Sequence, residues 1–581
     1  MKMSRRNSNM QAGRIALATG LMLALALANA TAARAQSTGD YRSAATGNWN
    51  AAATWERFDG SAWVAAAASP TTADGVITIR SPHVVTISAS VAYDQVVVDA
   101  GGQVTVASTV TSTLSDGDGM DLTINGTWLN SGGTWTALGY WTVNANGTYI
   151  HNTTSSAATP LGHATLDPSS TVIYRGSSTL TPAVAWAGRT YGNLSFESTS
   201  GSWGASLSGT SNTAINGNLT IGSGVTLTST HTGNVTIAGN YTNDGAFALS
   251  TGMQRFTFTG AGKTIGGSGA LDFEEFTLAS GASITLTSPA TILSSLSAGQ
   301  VNAGAVLALS DTLTNNDTVY IYVGGTLQLN QGGWATGGVW YYYSNWEAGN
   351  ATLAFNTNDL ISIGDETAFW PSSHPPNDVN ILSGGIQMNT ARGLYSLQTA
   401  GRIDNGSNLT VWVLCQINAG GYFTSGGPTY YGLLKYNTGG TYERGPEWSS
   451  TSGAGCPVNV QISNNTTLDL GSGNPSTARR MTGDLTIDAG SALAMDYGSH
   501  DMSAALTIEG NLNLDGTLSL SEVPGGDLYL GLGWNRTGSF YPNGRGVFFN
   551  GINPQTLTGA TTFDYVTVND TYGLMSGREH R

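Results

Sequence analysis

The sequence predicts an all-β protein built as a right-handed parallel β-helix, or β-solenoid, with several stacked modules as one form of it. Three observations predict this fold class. The 581 residues include 78 glycines, and only 10% of them are charged, whereas long helices need Leu, Glu, Lys and Arg on their surfaces. Short runs alternate Thr, Val, Ile or Leu with polar residues, which is typical of strands. Similar runs recur along the chain, which indicates stacked repeats.

The smallest recurring unit is a strand, a turn of Gly or Asn, and a second strand. Strands this short cannot bury an apolar face alone, but stacked coils form a continuous core. We therefore expect coils of roughly 22 to 25 residues that stack about 4.8 Å apart. Examples are LTINGTW (122–128), LTIGSGVTLTS (219–229), VTIAGNY (235–241), LTIDAGSALAM (485–495) and LTIEGNLNLDGTLSL (506–520).

Two distant stretches of the chain share one sequence pattern. NVTIAGNYTNDGAF (234–247) and DLYLGLGWNRTGSF (527–540) share a pattern in which Gly245 corresponds to Gly538 and Phe247 to Phe540. We expect each copy to form one stretch of the same kind of solenoid.

A larger unit occurs at 171–196, 352–381 and 433–462. Each copy consists of a strand, a polar and aromatic loop with a central Trp, and a second strand. The shared pattern favours common ancestry of the three units.

The N-terminus has the three-part pattern of a secretory signal peptide. Four basic residues within the first 14 precede the apolar run 15–28, and Ala33-Arg34-Ala35 follows. We expect cleavage before Gln36 and export of the mature chain. No later segment approaches about 18 uninterrupted apolar residues, so no membrane span is predicted.

Removal of residues 1–35 leaves 17 of the 22 basic residues against 37 acidic ones, a net charge of −20. Such a surface repels nucleic acid and anionic lipid. Affinity for cations or cationic partners is one interpretation. Solubility of an extracellular surface is the other, and we favour it.

Cys415 and Cys456 are the two cysteines, and both lie in the exported part. An oxidising compartment permits a disulfide, so we predict that they pair. The alternative is two buried free thiols. A structural zinc site is disfavoured, because it takes four Cys or His ligands at short spacings and the seven histidines are scattered.

The segment 41–87 resembles the N-terminal unit of very large secreted β-helical surface proteins of bacteria that use the type IX secretion system. It also resembles the start of the G8 domain. The runs 147–155, 172–182 and 553–570 are similar to repeats of the same surface proteins. This resemblance implies an adhesin-like or cell-surface role and supplies no catalytic residue.

The sequence divides into five predicted parts. The parts are a signal peptide (1–35), an N-terminal capping unit (36–115), solenoid repeats (116–330), aromatic-rich modules with long loops (331–480) and C-terminal repeats (481–581).

The last repeat lacks the partner strand that the earlier copy has. We therefore expect the chain to be a fragment of a longer protein and to self-associate through its C-terminal end.

The segment SDGDGMD offers Asp116, Asp118 and Asp121 as carboxylate ligands for Ca²⁺. It lacks both the EF-hand spacing and the nonapeptide repeat of calcium β-rolls. A solvated turn is the favoured alternative. Ca²⁺ is the one cofactor that the sequence suggests.

No catalytic motif stands out, and the sequence therefore favours a protein that is not an enzyme. Carboxylate pairs such as Glu443 with Glu447 supply the atoms for glycoside hydrolysis, but none has a diagnostic context. Nucleophile-elbow, zinc-protease and P-loop motifs are absent from the sequence.

The aromatic run GGWATGGVWYYYSNW (332–346) is the most informative stretch. Trp334, Trp340, Tyr342 and Trp346 are predicted to form a platform on which sugar rings stack. The alternative, which we favour, is that alternate members of the run fill the solenoid core.

Two functions follow as expectations. The first is an extracellular or cell-surface solenoid with an adhesive or structural role in a matrix or filament, whose partners are glycans, other surface proteins or further copies of itself. The second is a carbohydrate-binding or carbohydrate-active β-helix of the polysaccharide lyase or glycoside hydrolase type.

Overall fold

The computed structural model describes residues 35–152, 161–249, 255–293, 299–345, 349–569 and 573–576. It is nearly all-β, with 50% strand and 2% helix, and its parallel coils stack into a β-solenoid. The predicted fold class is thus confirmed. Short 3₁₀ helices occur at Ala52–Thr54, Gly406–Asn408 and Pro446–Trp448. The predicted signal peptide lies outside the described residues, except for Ala35.

The described residues form two compact units, which divide between Thr165 and Leu166. The first unit begins with antiparallel strands. Tyr41–Ser43 pairs with Trp55–Phe58, which pairs with Trp63–Ala65. Tyr41–Ser43 also pairs in parallel with Ile77–Ile79, which starts the stack of coils.

Three sheets form the coils of the first unit, and each strand pairs in parallel with its equivalent one coil later. The first sheet continues from Tyr41–Ser43 through Ile77–Ile79, Val96–Val98, Leu122–Ile124 and Trp141–Val143. The second contains Gly47–Asn48, Val84–Ile87, Gln103–Val106, Thr127–Ser131 and Thr148–Asn152. The third contains Val91–Tyr93, Thr111–Leu114 and Thr134–Ala137. Ala164–Leu166 lies at the boundary of the units.

One long sheet extends through the second unit. Its strands are Thr171–Gly176, Asn193–Ser198, Leu219–Ile221, Tyr241–Asn243, Lys263–Gly266, Ser283–Leu286, Val306–Leu309, Thr326–Asn330, Thr352–Ile363, Asp378–Met388, Arg392–Thr399, Arg402–Asp404, Leu409–Asn418, Tyr422–Phe423, Thr429–Tyr430, Leu433–Asn437, Asn459–Ile462, Leu485–Ile487, Leu512–Leu514, Trp534–Arg536, Gln555–Thr558 and Leu574–Ser576.

Shorter sheets form the other faces of the second unit. One contains Thr190–Tyr191, Thr213–Ile215, Asn234–Ile237, Arg255–Phe258, Glu275–Leu278, Gly299–Val301, Thr318–Ile321 and Val339–Tyr342. Two others contain Trp203–Leu207, Val225–Ser229 and Ala246–Leu249, and then Leu271–Phe273, Ala290–Ile292, Thr312–Asn315 and Trp334–Thr336. Later coils add Thr441–Glu443, Thr467–Asp469, Ala492–Ala494, Thr517–Ser519 and Ser539–Tyr541, and also Arg479–Met481, Leu506–Ile508, Leu528–Leu530, Gly546–Phe549 and Tyr565–Val568. Ser344–Asn345 and Gly349–Asn350 pair antiparallel.

Alternation within each strand places the apolar side chains inside the coils. Leu485, Leu512 and Trp534 are partners on successive coils, and all three are fully buried. Burial of one such side chain stabilises the fold by about 1.5–3 kcal/mol. The ladders therefore hold neighbouring coils together, as expected for a solenoid.

The two matching stretches 234–247 and 527–540 each form three successive strands of one coil. Phe247 and Phe540 are buried at the corresponding place. A Cβ on Gly245 would lie 2.4 Å from the carbonyl oxygen of Val225, and one on Gly538 would lie 2.0 Å from that of Gly516. The repeated glycine therefore lets the chain turn against the backbone of the preceding coil.

Coil length varies more than the sequence suggests. Asp378 pairs with Ser396, 18 residues later, whereas Leu485 pairs with Leu512, 27 residues later. The three larger units each form one coil of the long sheet, with strand partners at 171 and 193, 352 and 378, and 433 and 459. Their extra residues lie in loops, which tolerate insertion.

The strand Tyr565–Val568 pairs with Gly546–Phe549 along one edge. Tyr565 and Val566 are exposed. Among the described residues no strand pairs with its other edge. Association through this end stays a prediction.

Candidate functional site

The predicted sugar platform is wrong for two of its four residues. Trp340 and Tyr342 lie on Val339–Tyr342 and point into the core, where they are 1% and 3% exposed. The Trp340 indole N–H donates to the Gly337 carbonyl at 3.1 Å, and the Tyr342 hydroxyl donates to the Phe369 carbonyl at 2.8 Å. Neither ring can stack on a ligand from solvent. The alternative, that alternate members fill the core, is correct for them.

Trp334 is partly exposed and meets Phe369 edge-on at 4.9 Å between ring centroids. It therefore packs against the loop that follows Thr352–Ile363 and does not join a flat platform. Trp346 lies outside the described residues.

The outward-facing Tyr341 and Tyr343 of the same run form a different aromatic surface together with residues of the preceding coil and of a later loop. We call Tyr320, Tyr322, Tyr341, Tyr343 and His374 the tyrosine surface. Tyr322 and Tyr343 stack at 4.9 Å with 5° between their planes, and Tyr341 lies 4.6 Å from Tyr343. The His374 ring stacks on Tyr341 at 3.8 Å and 21°. The four tyrosines are half-buried and His374 is exposed.

Strand register explains why these rings meet. Thr318–Ile321 pairs in parallel with Val339–Tyr342, so Tyr320 lies beside Tyr341. Adjacent strands in a sheet are about 4.7–4.9 Å apart, which is also a favourable distance between stacked rings. Aromatic residues at outward positions of two successive coils therefore produce a continuous surface.

His374 joins the surface through a loop that covers the edge of this sheet. Its backbone has φ +56°, a conformation that few residues other than glycine adopt. In this conformation its carbonyl accepts a hydrogen bond at 3.2 Å from the backbone N–H of Tyr342, on the last strand of the sheet. One backbone group at the edge of the sheet is thereby given a hydrogen-bond partner.

The tyrosine surface combines ring faces with polar hydroxyl groups. Desolvation raises the pKa of Tyr343, and the neighbouring Tyr322 and Tyr341 raise it further. Its hydroxyl therefore stays neutral and able to donate a hydrogen bond near neutral pH. Such a surface suits a ligand with apolar C–H faces and hydroxyl groups.

A second exposed aromatic pair escaped the sequence analysis. Trp412 and Tyr431 stack at 4.4 Å and 13°, and they are 46% and 58% exposed. Strict alternation over Leu409–Asn418 would place Val413 inside, but Val413 is exposed as well. The register shift at Leu394/Ser396 of the preceding coil marks the irregularity, and sequence pattern alone does not show it.

The three aspartates of the predicted calcium site do not converge on one position. Asp121 is buried, and its carboxylate accepts backbone hydrogen bonds from Gly117 at 3.0 Å and Tyr140 at 2.7 Å. Asp116 and Asp118 are exposed. Among the described residues no group of three or more His, Cys, Asp or Glu side chains could hold a metal ion. Asp121 instead fixes a turn from a buried position, whereas the alternative interpretation expected a solvated turn.

Asp94, which the sequence analysis did not single out, interacts with Asp121. Desolvation and a hydrogen bond to Asp121 raise the pKa of Asp94 to about 6, and the charge of Asp116 contributes less. Two neighbouring carboxyl groups share a proton more readily than they both ionise.

Asp94→Asn is therefore expected to reduce the pH dependence of stability of the first unit. Because its pKa is raised on folding, protonated Asp94 stabilises the fold fully below its ordinary pKa, and this contribution disappears as pH rises through about 6. The variant should lose less stability than the wild type between about pH 4 and about pH 8. Thermal unfolding across this range measures the effect. Asp118→Asn is the control, and identical pH profiles for Asp94→Asn and the wild type would contradict the assignment.

The predicted disulfide is absent, because both cysteines are free and buried. Cys415 lies between Leu397 and Leu434 in an inward ladder of the long sheet. The Cys456 thiol instead lies 3.4 Å from the carbonyl oxygen of Arg480. Burial raises the pKa of both thiols, so both stay protonated and unreactive.

No family model, no curated protein and no solved structure matches the chain. Within the described ranges, no helix has the length and apolar character needed to cross a membrane.

Proposed function

We propose that this chain is an exported extracellular or cell-surface solenoid with an adhesive role, and that it binds glycans through the tyrosine surface. The stacked coils serve as the scaffold, and the rings of Tyr322 and Tyr343 are the contact points for sugar. The proposal includes the signal peptide 1–35 and the type IX surface-protein class to which the sequence shows a resemblance.

The cluster of outward tyrosines is the observation that carries the proposal. Soluble proteins rarely leave large apolar patches exposed without a use, and a surface of stacked rings bordered by hydroxyl groups favours sugar over a purely apolar ligand. Ring contacts contribute about 0.5–1.5 kcal/mol each beyond the area they bury. An extended glycan that touches several rings gains from each of them.

Tyr322→Ala combined with Tyr343→Ala is expected to weaken glycan binding about tenfold or more, since two ring contacts are lost. A glycan array probed with the full-length protein identifies the ligand, and retention of that glycan by each variant measures the loss. Tyr541→Ala removes an exposed tyrosine elsewhere in the second unit and is the matched control. The proposal fails if the wild type retains no glycan, or if the double variant and the control bind equally well.

A further inference from the structure

A groove of about 560 Å³ lies on later coils of the second unit, apart from the residues of the tyrosine surface. It brings aromatic rings, a carboxylate and backbone polar groups to one place. Its lining residues include Tyr422, Thr441, Tyr442, Glu443, Arg444 and Ser472.

A buried carboxylate holds a histidine beside this groove. Asp469 occupies an outward position next to the inward Leu468, yet it is fully buried. One of its carboxylate oxygens lies 2.5 Å from the Nδ1 of His500, and the other accepts the backbone N–H of Ser472 at 3.1 Å. His500 remains 39% exposed. Since Asp469 occupies Nδ1, Nε2 is the ring nitrogen left for a ligand.

The segment that carries His500 folds back over two coils. Tyr497 and Thr441 are joined by a hydrogen bond of 3.1 Å between their hydroxyl groups, and the strand Thr467–Asp469 lies between their coils. This contact places the turn that ends at His500 over the outer face of Thr441–Glu443 and Thr467–Asp469.

Glu443 is the neighbour of this pair on the adjacent coil. It is the register partner of Asp469, so their Cα atoms are about 4.8 Å apart. It is exposed and lines the groove. The hydrogen bond and the charge of Asp469 raise the pKa of His500, and the charge of Glu443 raises it further. An imidazole whose protonated form is favoured and a carboxylate therefore lie on neighbouring coils beside one groove.

Glu447 and Arg444, two further charged groups of the region, use their polar atoms on neighbouring protein groups. Glu447 is the carboxylate that the sequence analysis considered together with Glu443 for glycoside hydrolysis. It is fully buried and accepts hydrogen bonds from the Gly445 N–H at 2.8 Å and the Tyr436 hydroxyl at 3.2 Å. Arg444 donates to surrounding carbonyl groups. Glu447 cannot reach a substrate, so His500 is the proton donor available to act with Glu443.

We propose that this groove hydrolyses a glycosidic bond of a polysaccharide, with His500 as general acid, Glu443 as general base and Asp469 as a positioning residue. Glu443 takes a proton from water while the water oxygen bonds to the anomeric carbon. His500 gives its Nε2 proton to the glycosidic oxygen, and the bond from that oxygen to the anomeric carbon breaks. A proton then passes from Glu443 to His500 through solvent. The single displacement inverts the anomeric configuration.

The test uses the full-length protein on a panel of xylan, cellulose, chitin, dextran, polygalacturonate and alginate. Wild type is expected to release reducing ends from at least one of them. Glu443→Gln and His500→Gln should each lower kcat about a hundredfold or more, the usual loss for a general acid or base. Both side chains are partly or fully exposed, so these variants are expected to fold. Glu522→Gln, at an exposed position outside the groove, is the control.

Asp469→Asn provides a readout that a purely structural role would not change. The rate needs protonated His500, so it falls as pH rises through the pKa of His500. Loss of Asp469 lowers that pKa and should move the alkaline limb of the kcat profile to lower pH. Absence of reducing ends on every polysaccharide, unsaturated products of elimination, or full activity of His500→Gln would each overturn the proposal. Glycan retention by the tyrosine-surface variants is a separate measurement, so the two proposals fail independently.

Discussion

Trp340→Ala is expected to destabilise the coils around Val339–Tyr342 by about 3–5 kcal/mol, the usual cost of truncating a buried tryptophan. The ring is 1% exposed and lies in register with Val319 on the preceding coil. Its removal leaves a cavity that rigid neighbouring strands cannot fill. Denaturant unfolding measures the total loss, and hydrogen exchange at Thr318–Ile321 shows where it occurs.

Tyr343→Ala is the matched control for Trp340→Ala, because it truncates an aromatic residue three positions later on the outer face. Its stability should change far less, while glycan retention should change more. In a solenoid each coil contacts mainly its neighbours, so the loss at Trp340 should be local. A larger destabilisation by Tyr343→Ala would mean that the two faces of the strand are assigned the wrong way round.

Arg444→Ala is expected to have the second large effect on stability, about 3 kcal/mol or more. The buried guanidinium donates to the carbonyl groups of Gly445 at 2.7 Å, Trp448 at 3.1 Å and Leu470 at 3.1 Å, and also to that of Ser472. Each buried carbonyl left without a donor costs about 1–3 kcal/mol, less where water enters. Denaturant unfolding at neutral pH measures the loss.

Arg480→Ala is the comparison for this arginine. Arg480 makes a salt bridge of 2.6 Å to Glu509, but both side chains are partly exposed, and such pairs contribute about 0–1 kcal/mol. The two arginines thus separate the effect of buried hydrogen bonds from that of surface charge. Equal losses for both variants would contradict the structural role of Arg444.

The aromatic run 332–346 shows how far sequence analysis extends. Alternation predicts that every second side chain of the run points inward. Both alternating sets contain aromatic residues, so the sequence does not show which set faces the core. Pairing of Trp340 with Val319 selects the inward phase. Tyr341 and Tyr343 then face outward and meet Tyr320 and Tyr322, which precede them by one coil.

The candidate catalytic groove was less accessible to sequence analysis. Glu443 and Glu447 were recognised as carboxylates, but nothing in the sequence indicated that Glu447 would be buried. His500 and Asp469 are 31 residues apart and share no motif. Likewise, the stretch that contains Asp116, Asp118 and Asp121 has the composition of a cation site, whereas Asp121 uses its oxygens on the backbone.

The sequence by itself determined that this chain forms short strands and that they stack. Alternating apolar residues specify strands locally, and repeated patterns such as those around Gly245 and Gly538 specify coils that fit on one another. Sequence analysis detects both, because each pattern is contained in a short stretch of neighbouring residues. Only the tertiary structure decided which rings are exposed and which charged groups meet. Those contacts join residues one or two coils apart, and their positions depend on variable coil lengths and on loops that fold back over the sheets.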